Sequence, residues 1–423
     1  MKLTIVGGGS TYTPELVDGL ARLRASVAID EVWLLDPNAE RLAIITDLAR
    51  RMLARADYDL AVRATADPVQ AIAGADIVLF QLRVGGQAAR KSDELFPHCC
   101  GVLGQETTGP GGFAKALRTV PVILELAELV RRHANPKAWI IDFTNPVGIV
   151  TRALLEAGHR AVGLCNVAIG FQRQFAAWLD LAPERLELDH VGLNHLTWER
   201  AAYVDGVDRL PELLTRFGDE IAEEISLPRA LLELQQAVPS YYLHYFYAHD
   251  AILAEQRAPG AITRADQVSQ LETTLLAKYA DPELNTKPPE LAERGGAFYS
   301  EAAINLLASL LGDRGDRQVV NLRNDGVLPF LPDDHVIEIL ARIGQTISTA
   351  DSPARQPLSD QAAGLVAHVA AYERLALEAA LKGGRDRVVA ALLAHPLVGQ
   401  WDKANRLADE LIAINRAYLA WAV

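Results

Sequence analysis

The fold is decided by residues 3–15, which read Leu3-Thr4-Ile5-Val6-Gly7-Gly8-Gly9-Ser10-Thr11-Tyr12-Thr13-Pro14-Glu15. The stretch begins as a short apolar strand and runs directly into three glycines. Thr13 and Pro14 then suit the N-cap and the first position of a helix, and leucines recur at helical spacing beyond them. This order of strand, glycine-rich turn and helix indicates a dinucleotide-binding α/β fold.

The glycine turn predicts a cofactor site, because backbone N–H groups at a helix N-terminus suit a pyrophosphate. The candidate cofactor contacts are Gly7, Gly8, Gly9, Ser10 and Thr11. Tyr12 stands where the G-x-G-x-x-G pattern has its third glycine. That departure concerns the closest packing of the helix on the strand rather than the phosphate site.

The second strand, residues 31–35, ends at Asp36. A carboxylate in this place can accept both ribose hydroxyls, which favours NAD over NADP. The same residue could instead cap a helix, because Asp36-Pro37-Asn38 precedes a helical pattern.

Later apolar strands end in polar residues. These strands are residues 77–82, 138–143 and 161–164. Their alternation with helical patterns predicts a Rossmann-like, doubly wound parallel sheet. Ligands of such sheets bind beyond the carboxyl ends of the strands, where Arg83, Asn145 and Cys165 lie.

The pattern becomes less regular from about residue 185. Strands are expected at 185–191, at 198–203 and within 318–338, and helices at 266–279, 301–311 and over most of 360–423. A chain of 423 residues is long for a single core. We therefore predict an NAD-binding domain at residues 1–185 and an α+β domain at 186–423 that serves substrate, metal and oligomerisation.

Residues 101–118 read Gly-Val-Leu-Gly-Gln-Glu-Thr-Thr-Gly-Pro-Gly-Gly-Phe-Ala-Lys-Ala-Leu-Arg. The run combines glycines and a proline with Glu106 and two threonine hydroxyls. It favours a loop that lets backbone approach a ligand closely. An ordinary surface turn is the alternative.

Several cations lie in or near this run. They are Arg83, Arg90, Lys91, Lys115 and Arg118. Together they could hold one anionic group of a substrate. Each of them could equally be a solvated surface residue.

The composition is that of a globular chain, with 50% hydrophobic residues. A net charge of −13 argues against a nucleic-acid or acidic-membrane partner. Three cysteines make no disulfide framework, which favours a reducing compartment. The sequence shows neither a secretory signal before the first strand nor an uncharged apolar run of membrane-spanning length. A cytoplasmic location is expected.

Cys165 and His195 each follow a predicted strand. A thiolate and an imidazole could form a two-ligand metal site with open positions for substrate oxygens. The same residue types could form a nucleophilic pair, or be a buried hydrophobe and a core histidine. Tyr242 lies in an aromatic cluster and would be a poor base unless a cation lowered its pKa.

Motifs spread over nearly the whole chain resemble glycoside hydrolase family 4, the NAD- and divalent-metal-dependent glycosidases. They lie at residues 7–15, 83–86, 104–112, 144–146, 163–166, 192–195, 294–297 and 321–326. Within the family, the chain is most similar to members that act on 6-phospho-β-glucosides.

This resemblance implies a fold related to lactate and malate dehydrogenases and a mechanism outside two-carboxylate hydrolysis. NAD⁺ takes a hydride from C3 of the sugar, and a base then removes the acidified C2 proton. The glycosidic oxygen leaves C1, water adds, and the hydride returns to C3. The net reaction is hydrolysis, with NAD regenerated in each turnover.

The resemblance also implies roles for individual residues. Cys165 and His195 match the ligands of Mn²⁺ or another divalent ion. Tyr242 matches the base, with the adjacent Tyr241 as the alternative, and Glu106 matches the acid that raises the basicity of this tyrosine. Substrate-binding positions are Arg83, Arg90, Asn145 and Arg264, and NAD contacts are those of the glycine turn and Asp36.

Two positions bear on the substrate. Asn166 follows the metal cysteine, where members acting on α-linkages have an aspartate that protonates the leaving group. An amide cannot act as that acid, which favours β-linked substrates. His244 stands where relatives often have an arginine. If that arginine helps bind the 6-phosphate, the histidine weakens the expected preference for phosphorylated substrates.

The expected function is hydrolysis of a phosphorylated disaccharide or glycoside by a homodimer or homotetramer. Alternatives within the family are an unphosphorylated β-glucoside or an α-linked substrate. Alternatives outside it are an NAD-dependent dehydrogenase of a hydroxy acid, which would accumulate NADH, and an NAD-binding regulator without catalysis.

Overall fold

The computed structural model describes residues 1–295, 298–353 and 356–422. Its strands are β1 (Lys2–Val6), β2 (Glu31–Leu35), β3 (Ala61–Thr65), β4 (Ile77–Phe80), β5 (Trp139–Asp142), β6 (Ala161–Gly163), β7 (Leu186–Leu193), β8 (Leu196–Val204), β9 (Val207–Asp208), β10 (Val238–Pro239), β11 (Asp316–Arg323), β12 (Val336–Ile343) and β13 (Ile347–Ser348).

The helices alternate with these strands in the first half and dominate the second half. They are α1 (Thr13–Arg22), α2 (Ala39–Arg55), α3 (Pro68–Ile72), α4 (Gly86–Leu95), α5 (Gly109–His133), α6 (Val147–Glu156), α7 (Val167–Trp178), α8 (Leu210–Ile225), α9 (Arg229–Gln235), α10 (His244–Tyr247), α11 (His249–Gln256), α12 (Arg264–Tyr279), α13 (Tyr299–Gly312), α14 (Asp360–Lys382), α15 (Arg385–Leu393) and α16 (Trp401–Asn415). Among the helices of the described ranges, none has the length and apolar character needed to cross a bilayer.

The parallel strands run in the order β3-β2-β1-β4-β5-β6. This is the strand order of the Rossmann fold, so the predicted fold class is confirmed. Strand β3 was not predicted from the sequence. Only Val62 of this strand is buried, because β3 lies at the edge of the sheet, and a single buried residue gives no periodic signal.

The sheet continues without a break into the second half of the chain. Strand β11 pairs antiparallel with β6 at Asn321 and Gly163, and β12, β7, β8 and β10 follow in that order. The division at residues 185 and 186 therefore stays a prediction, since both regions contribute strands to one sheet.

Helix α13 from the second region packs on α1 from the first. The contact is close because residue 19 is a glycine: a Cβ atom there would lie 2.7 Å from Ser300 Cβ. Leu16, Leu20 and Ile304 are buried in the same apolar cluster. The two regions thus share core as well as sheet, and this packing holds the glycine turn in front of α1.

Candidate active site

A cleft of about 1140 Å³ lies where β1, β2, β4, β5 and β6 end. This is the edge at which a doubly wound sheet binds ligands. The cleft is lined by most of the predicted site residues: Gly7, Gly9, Ser10, Asp36, Arg83, Arg90, Glu106, Asn145, Cys165, Asn166, His195, Tyr241, Tyr242 and Arg264. Residues far apart in the sequence therefore meet in one cavity.

The glycine turn packs against neighbouring backbone and against Asp36. Gly7 has φ +88°, and a Cβ atom there would lie 2.8 Å from the carbonyl oxygen of Gln81. Gly9 donates its N–H to Asp36 Oδ2 at 3.1 Å. The N-cap of α2 is Asn38, so Asp36 does not cap that helix and its carboxylate faces the cleft.

Gly8 and Thr11 lie behind the turn, not among the residues that line the cleft. A Cβ atom on Gly8 would lie 2.7 Å from Leu34 Cβ, so this glycine allows the turn to sit on β2. Thr11 is buried and donates to Glu272 Oε1 at 3.4 Å. The expected N-cap at Thr13 is wrong by one residue, because α1 begins at Thr13 and its hydroxyl donates to the carbonyl of Gly8.

The predicted loop at residues 101–118 is half helix, because α5 begins at Gly109. Pro110 lies in the first turn of α5. Backbone N–H groups in the first turn have no acceptor within the helix, so the N–H that proline lacks costs no helical hydrogen bond. The glycines of this run allow close packing of the chain on itself. A Cβ atom on Gly111 would lie 2.3 Å from the carbonyl oxygen of Gln105, and one on Gly112 would lie 2.4 Å from the carbonyl carbon of Thr107. The expectation that they admit a ligand is therefore wrong for these two positions.

Glu106 is the centre of a buried charge cluster. Its carboxylate accepts from both terminal nitrogens of Arg83, lies 3.2 Å from Arg90 Nη2, and lies 2.8 Å from Lys115 Nζ. Although burial acts to raise it, the pKa of Glu106 is held well below its usual range by these three cations. Burial and the neighbouring Arg83 lower the pKa of Lys115 to about 7. Glu106 is therefore an ionised anchor for the cations of the cleft.

The other two cations of the predicted basic pocket lie elsewhere. Lys91 forms an exposed ion pair with Asp266 at 2.8 Å. Arg118 is buried, donates to Asp93 and Asn415, and joins α5 to α4 and α16. Neither is among the residues that line the cleft. The expectation of a shared anion site is thus wrong for these two residues.

Cys165 follows β6, and His195 lies in the two-residue turn between β7 and β8. His195 has φ +63°, a left-handed conformation that is uncommon outside glycine. Burial lowers the pKa of His195 to about 4, so its ring is neutral near pH 7 and can ligate a metal. Burial raises the pKa of the Cys165 thiol, so this group needs a bound cation to lose its proton.

Cys165 and His195 both line the cleft and carry the donor atoms, sulfur and imidazole nitrogen, that a divalent transition-metal ion accepts. Over the described ranges, no group of three or more His, Cys, Asp and Glu side chains could hold a metal. An ion bound by Cys165 and His195 would therefore complete its shell with water or substrate oxygens, as a catalytic metal requires.

Tyr242 stacks on the ring of His195, with centroids 3.5 Å apart and planes 7° apart. Tyr241 lies beside it, with ring centroids 4.7 Å apart. Burial raises the pKa of both phenols, and for Tyr242 the neighbouring Tyr241 raises it further. Either phenol would need a nearby cation to become a base near neutral pH, and His195 would place a metal next to Tyr242.

A buried hydrogen-bond network near Cys165 was not predicted from the sequence. His190 bridges Glu199 at 2.6 Å and Glu338 at 3.0 Å, and the side chains of Asn194 and Asn321 donate to Glu338 at 2.7 and 2.8 Å. Glu199 and Glu338 raise the pKa of His190 to about 10 against the effect of its burial. The sequence does contain a signal for this network, because a charged residue inside an otherwise apolar strand is expected to have a buried partner. Strand β12, for example, reads Val-Ile-Glu-Ile-Leu-Ala-Arg-Ile.

A second cluster that was not predicted lies at the end of the cleft formed by the glycine turn. Glu272 on α12 pairs with Arg41 at 3.3 Å and with Arg294 at 3.1 Å. Arg41 also donates to the carbonyl of Gly9. Arg294 begins the motif at residues 294–297, of which 296 and 297 lie outside the described residues. No short-range pattern connects segments this far apart in the chain.

The chain is similar to known proteins over its whole length. The sequence profile of family 4 glycosyl hydrolases matches residues 2–181, and that of their C-terminal domain matches residues 190–398. A probable 6-phospho-beta-glucosidase of Bacillus subtilis strain 168 is 38% identical over 99% of this chain and 97% of its own. The 6-phospho-beta-glucosidase of Escherichia coli K12 is 35% identical over 99% and 96%.

Solved structures agree with these matches. The 6-phospho-beta glucosidase of Thermotoga maritima, solved with manganese, NAD⁺ and glucose-6-phosphate, has a TM-score of 0.90 at 33% identity and 99% coverage of both chains. Malate dehydrogenase of Salinibacter ruber has a TM-score of 0.55 at 15% identity over 91% of this chain and 99% of its own, a likeness of fold alone. The predicted relation to the dehydrogenase fold is confirmed, and the chain belongs to the family 4 glycosyl hydrolases.

Proposed function

We propose that this protein hydrolyses 6-phospho-β-glucosides with the help of NAD⁺ and a divalent metal, with Mn²⁺ as the expected ion. The observation that carries the proposal is the single cleft that joins the glycine turn and Asp36 to Cys165, His195 and the tyrosine pair. Relatives named for this activity, and one solved with both cofactors and a sugar phosphate, support it.

The residues of the cleft have separate roles in the proposed reaction. When bound, NAD⁺ would supply a reversible hydride acceptor, and a divalent ion held by Cys165 and His195 would supply positive charge that stabilises the deprotonated sugar. Asp36 and the turn from Gly7 would hold the cofactor. Tyr242, or Tyr241 beside it, would take the C2 proton. Asn166 carries no acidic proton for a leaving group, which suits a β-linked substrate.

The cations of the cleft favour an anionic sugar. Arg83, Arg90 and Lys115 share the carboxylate of Glu106. Arg264 donates to Gln267 and to the carbonyl of Glu293, which are both neutral groups, so its charge remains available for a phosphate. Asn145 at the end of β5 would contact the sugar.

A thiol-centred alternative is weaker on physical grounds. A buried thiol with a raised pKa is a poor nucleophile, so the same residue is better used as a ligand whose proton the metal displaces.

Cellular setting and assembly belong to the same proposal. We infer a cytoplasmic enzyme, because sugar phosphates are intracellular metabolites and the three cysteines are free. We also infer a homodimer or homotetramer. Large apolar side chains such as Leu234, Ile262 and Trp401 are exposed, and burying them against a second copy would be favourable. No nucleic acid or membrane is part of the proposal.

The test is turnover of 4-nitrophenyl 6-phospho-β-glucoside with deuterium at C2. We expect nitrophenol release that requires both NAD⁺ and Mn²⁺, is slowed by the deuterium, and leaves no net NADH. Cleavage without a cofactor requirement or an isotope effect would refute the mechanism. Stoichiometric NADH would instead identify a dehydrogenase, and binding of NAD⁺ without turnover of any substrate would identify a regulator. Unphosphorylated and α-linked nitrophenyl glucosides, run in parallel, decide between the activities of the family.

Asp36→Ala is expected to weaken NAD⁺ binding by roughly 10-fold or more, because a hydrogen bond to a charged group contributes about 1.5–3 kcal/mol. Titration of NAD⁺ by calorimetry measures the change. The matched control is Asp47→Ala on the exposed face of α2, which should bind NAD⁺ as the wild type does. Equal affinities in Asp36→Ala and the control would show that Asp36 does not contact the ribose.

A further inference from the structure

The side chain of Gln105 has a defined orientation. Its Oε1 atom accepts the backbone N–H of Thr107 and, at 2.6 Å, that of Thr108. Two N–H donors on one atom identify this atom as the carbonyl oxygen of the amide rather than its nitrogen. The amide of Gln105 is therefore an acceptor on the side that faces Thr107.

This orientation determines where the hydroxyl proton of Thr107 goes. Thr107 Oγ1 lies 2.9 Å from Gln105 Oε1 and 3.0 Å from His195 Nδ1. A hydroxyl has one proton and two lone pairs. Because Gln105 Oε1 only accepts, both contacts are hydrogen bonds only if Thr107 donates its proton to Gln105 and accepts one from His195. That arrangement places the ring proton of His195 on Nδ1.

We propose that Thr107, oriented by Gln105, is a positioning residue that holds the proton of His195 on Nδ1 and leaves Nε2 as the nitrogen that binds the metal. The inference rests on the proposed metal role of His195. The imidazole of a metal ligand usually donates its second N–H to a neighbouring group, which sets the tautomer and the ring orientation.

The packing around the His195 ring bears on which of its nitrogens carries the proton. His195 is buried, and one face of its ring is covered by Tyr242 at a centroid distance of 3.5 Å. A ring with its proton on Nε2 would point a hydrogen toward the site of the cation, and Thr107 could donate to Nδ1 only by giving up its hydrogen bond to Gln105. Gln105 and Thr107 therefore favour the tautomer with its proton on Nδ1, which leaves Nε2 free for a metal in the metal-free protein.

The first measurement uses metal-free wild-type protein labelled with ¹⁵N-histidine. Two-bond proton–nitrogen correlations distinguish the tautomers, and the His195→Gln spectrum assigns the signal. We expect the proton on Nδ1. A proton on Nε2 would overturn the proposal, and this result requires neither metal binding nor a variant of Thr107.

The second measurement compares Thr107→Val with Thr107→Ser. Valine keeps the shape and removes the acceptor, so we expect the affinity for Mn²⁺, followed by electron paramagnetic resonance, to fall about 10–100-fold. Serine keeps the hydroxyl and should bind Mn²⁺ nearly as tightly as the wild type. The affinity for NAD⁺ and the thermal midpoint should be the same in both variants.

The outcomes separate this inference from the proposed function. Unchanged Mn²⁺ affinity in Thr107→Val would overturn the positioning role alone. Wild-type protein that binds no Mn²⁺ would overturn the metal site itself. Weaker Mn²⁺ binding in Thr107→Val, with the wild-type proton on Nδ1 and a native-like Thr107→Ser, would support both.

Discussion

The Cys165→Ser variant is expected to lose at least about a thousandfold in kcat/KM. A metal that stabilises charge on the reacting oxygens contributes several kcal/mol, and each 1.36 kcal/mol changes a rate about tenfold. Serine places a weakly acidic hydroxyl where a thiolate would bind, in a buried position that already disfavours the charged form of Cys165. His195→Ala removes the other ligand and should cause a loss of similar size.

The matched control for this prediction is Cys99→Ser. Cys99 is exposed and belongs to the short helix Phe96–Cys100, so the same chemical change there should leave kcat/KM unaltered. All three variants should bind NAD⁺ with wild-type affinity, because Asp36 and the glycine turn are intact. Metal-dependent turnover at the wild-type rate in Cys165→Ser would refute the assignment of Cys165 as a ligand.

The sequence predicts those parts of the site that rest on local patterns. A parallel strand delivers the residue that follows it to one edge of the sheet, so Arg83, Asn145 and Cys165 could be placed together from strand ends alone. Asp36 follows the same rule. The structure brings all four to the cleft.

The parts that the sequence does not predict depend on contacts between distant segments. Glu272 lies 261 residues from its partner Thr11, and no period or spacing connects them. The role of Gly112 is equally hidden, because the backbone that approaches it belongs to the chain itself rather than to a ligand. The sequence shows a glutamate or a glycine at these positions, but only the folded structure shows which distant residues contact them.

Glu106→Gln is expected to lower the free energy of unfolding by about 3–5 kcal/mol, the usual cost of leaving a buried charge without its partner. Three buried or half-buried cations, Arg83, Arg90 and Lys115, share this carboxylate. The neutral amide leaves Arg83 and Lys115 without the carboxylate that they contact, whereas Arg90 keeps its ion pair with Glu94 at 2.7 Å. Urea denaturation at pH 7 measures the change. The exposed Glu128, which pairs with surface arginines, provides the control Glu128→Gln, for which we expect about 0–1 kcal/mol.

Two further measurements test the physical cause of the destabilisation in Glu106→Gln. The pKa of Glu106 is lowered in the folded protein, so its contribution is fully present above its ordinary value of 4.5 and is lost as the pH falls toward the lowered pKa. The difference in the free energy of unfolding between wild type and Glu106→Gln should therefore shrink as the pH falls below 4.5. Adding Lys115→Met to Glu106→Gln removes one unpaired cation and should recover part of the lost stability. If the double variant were as unstable as the sum of the single changes, the cluster would not be held together by charge.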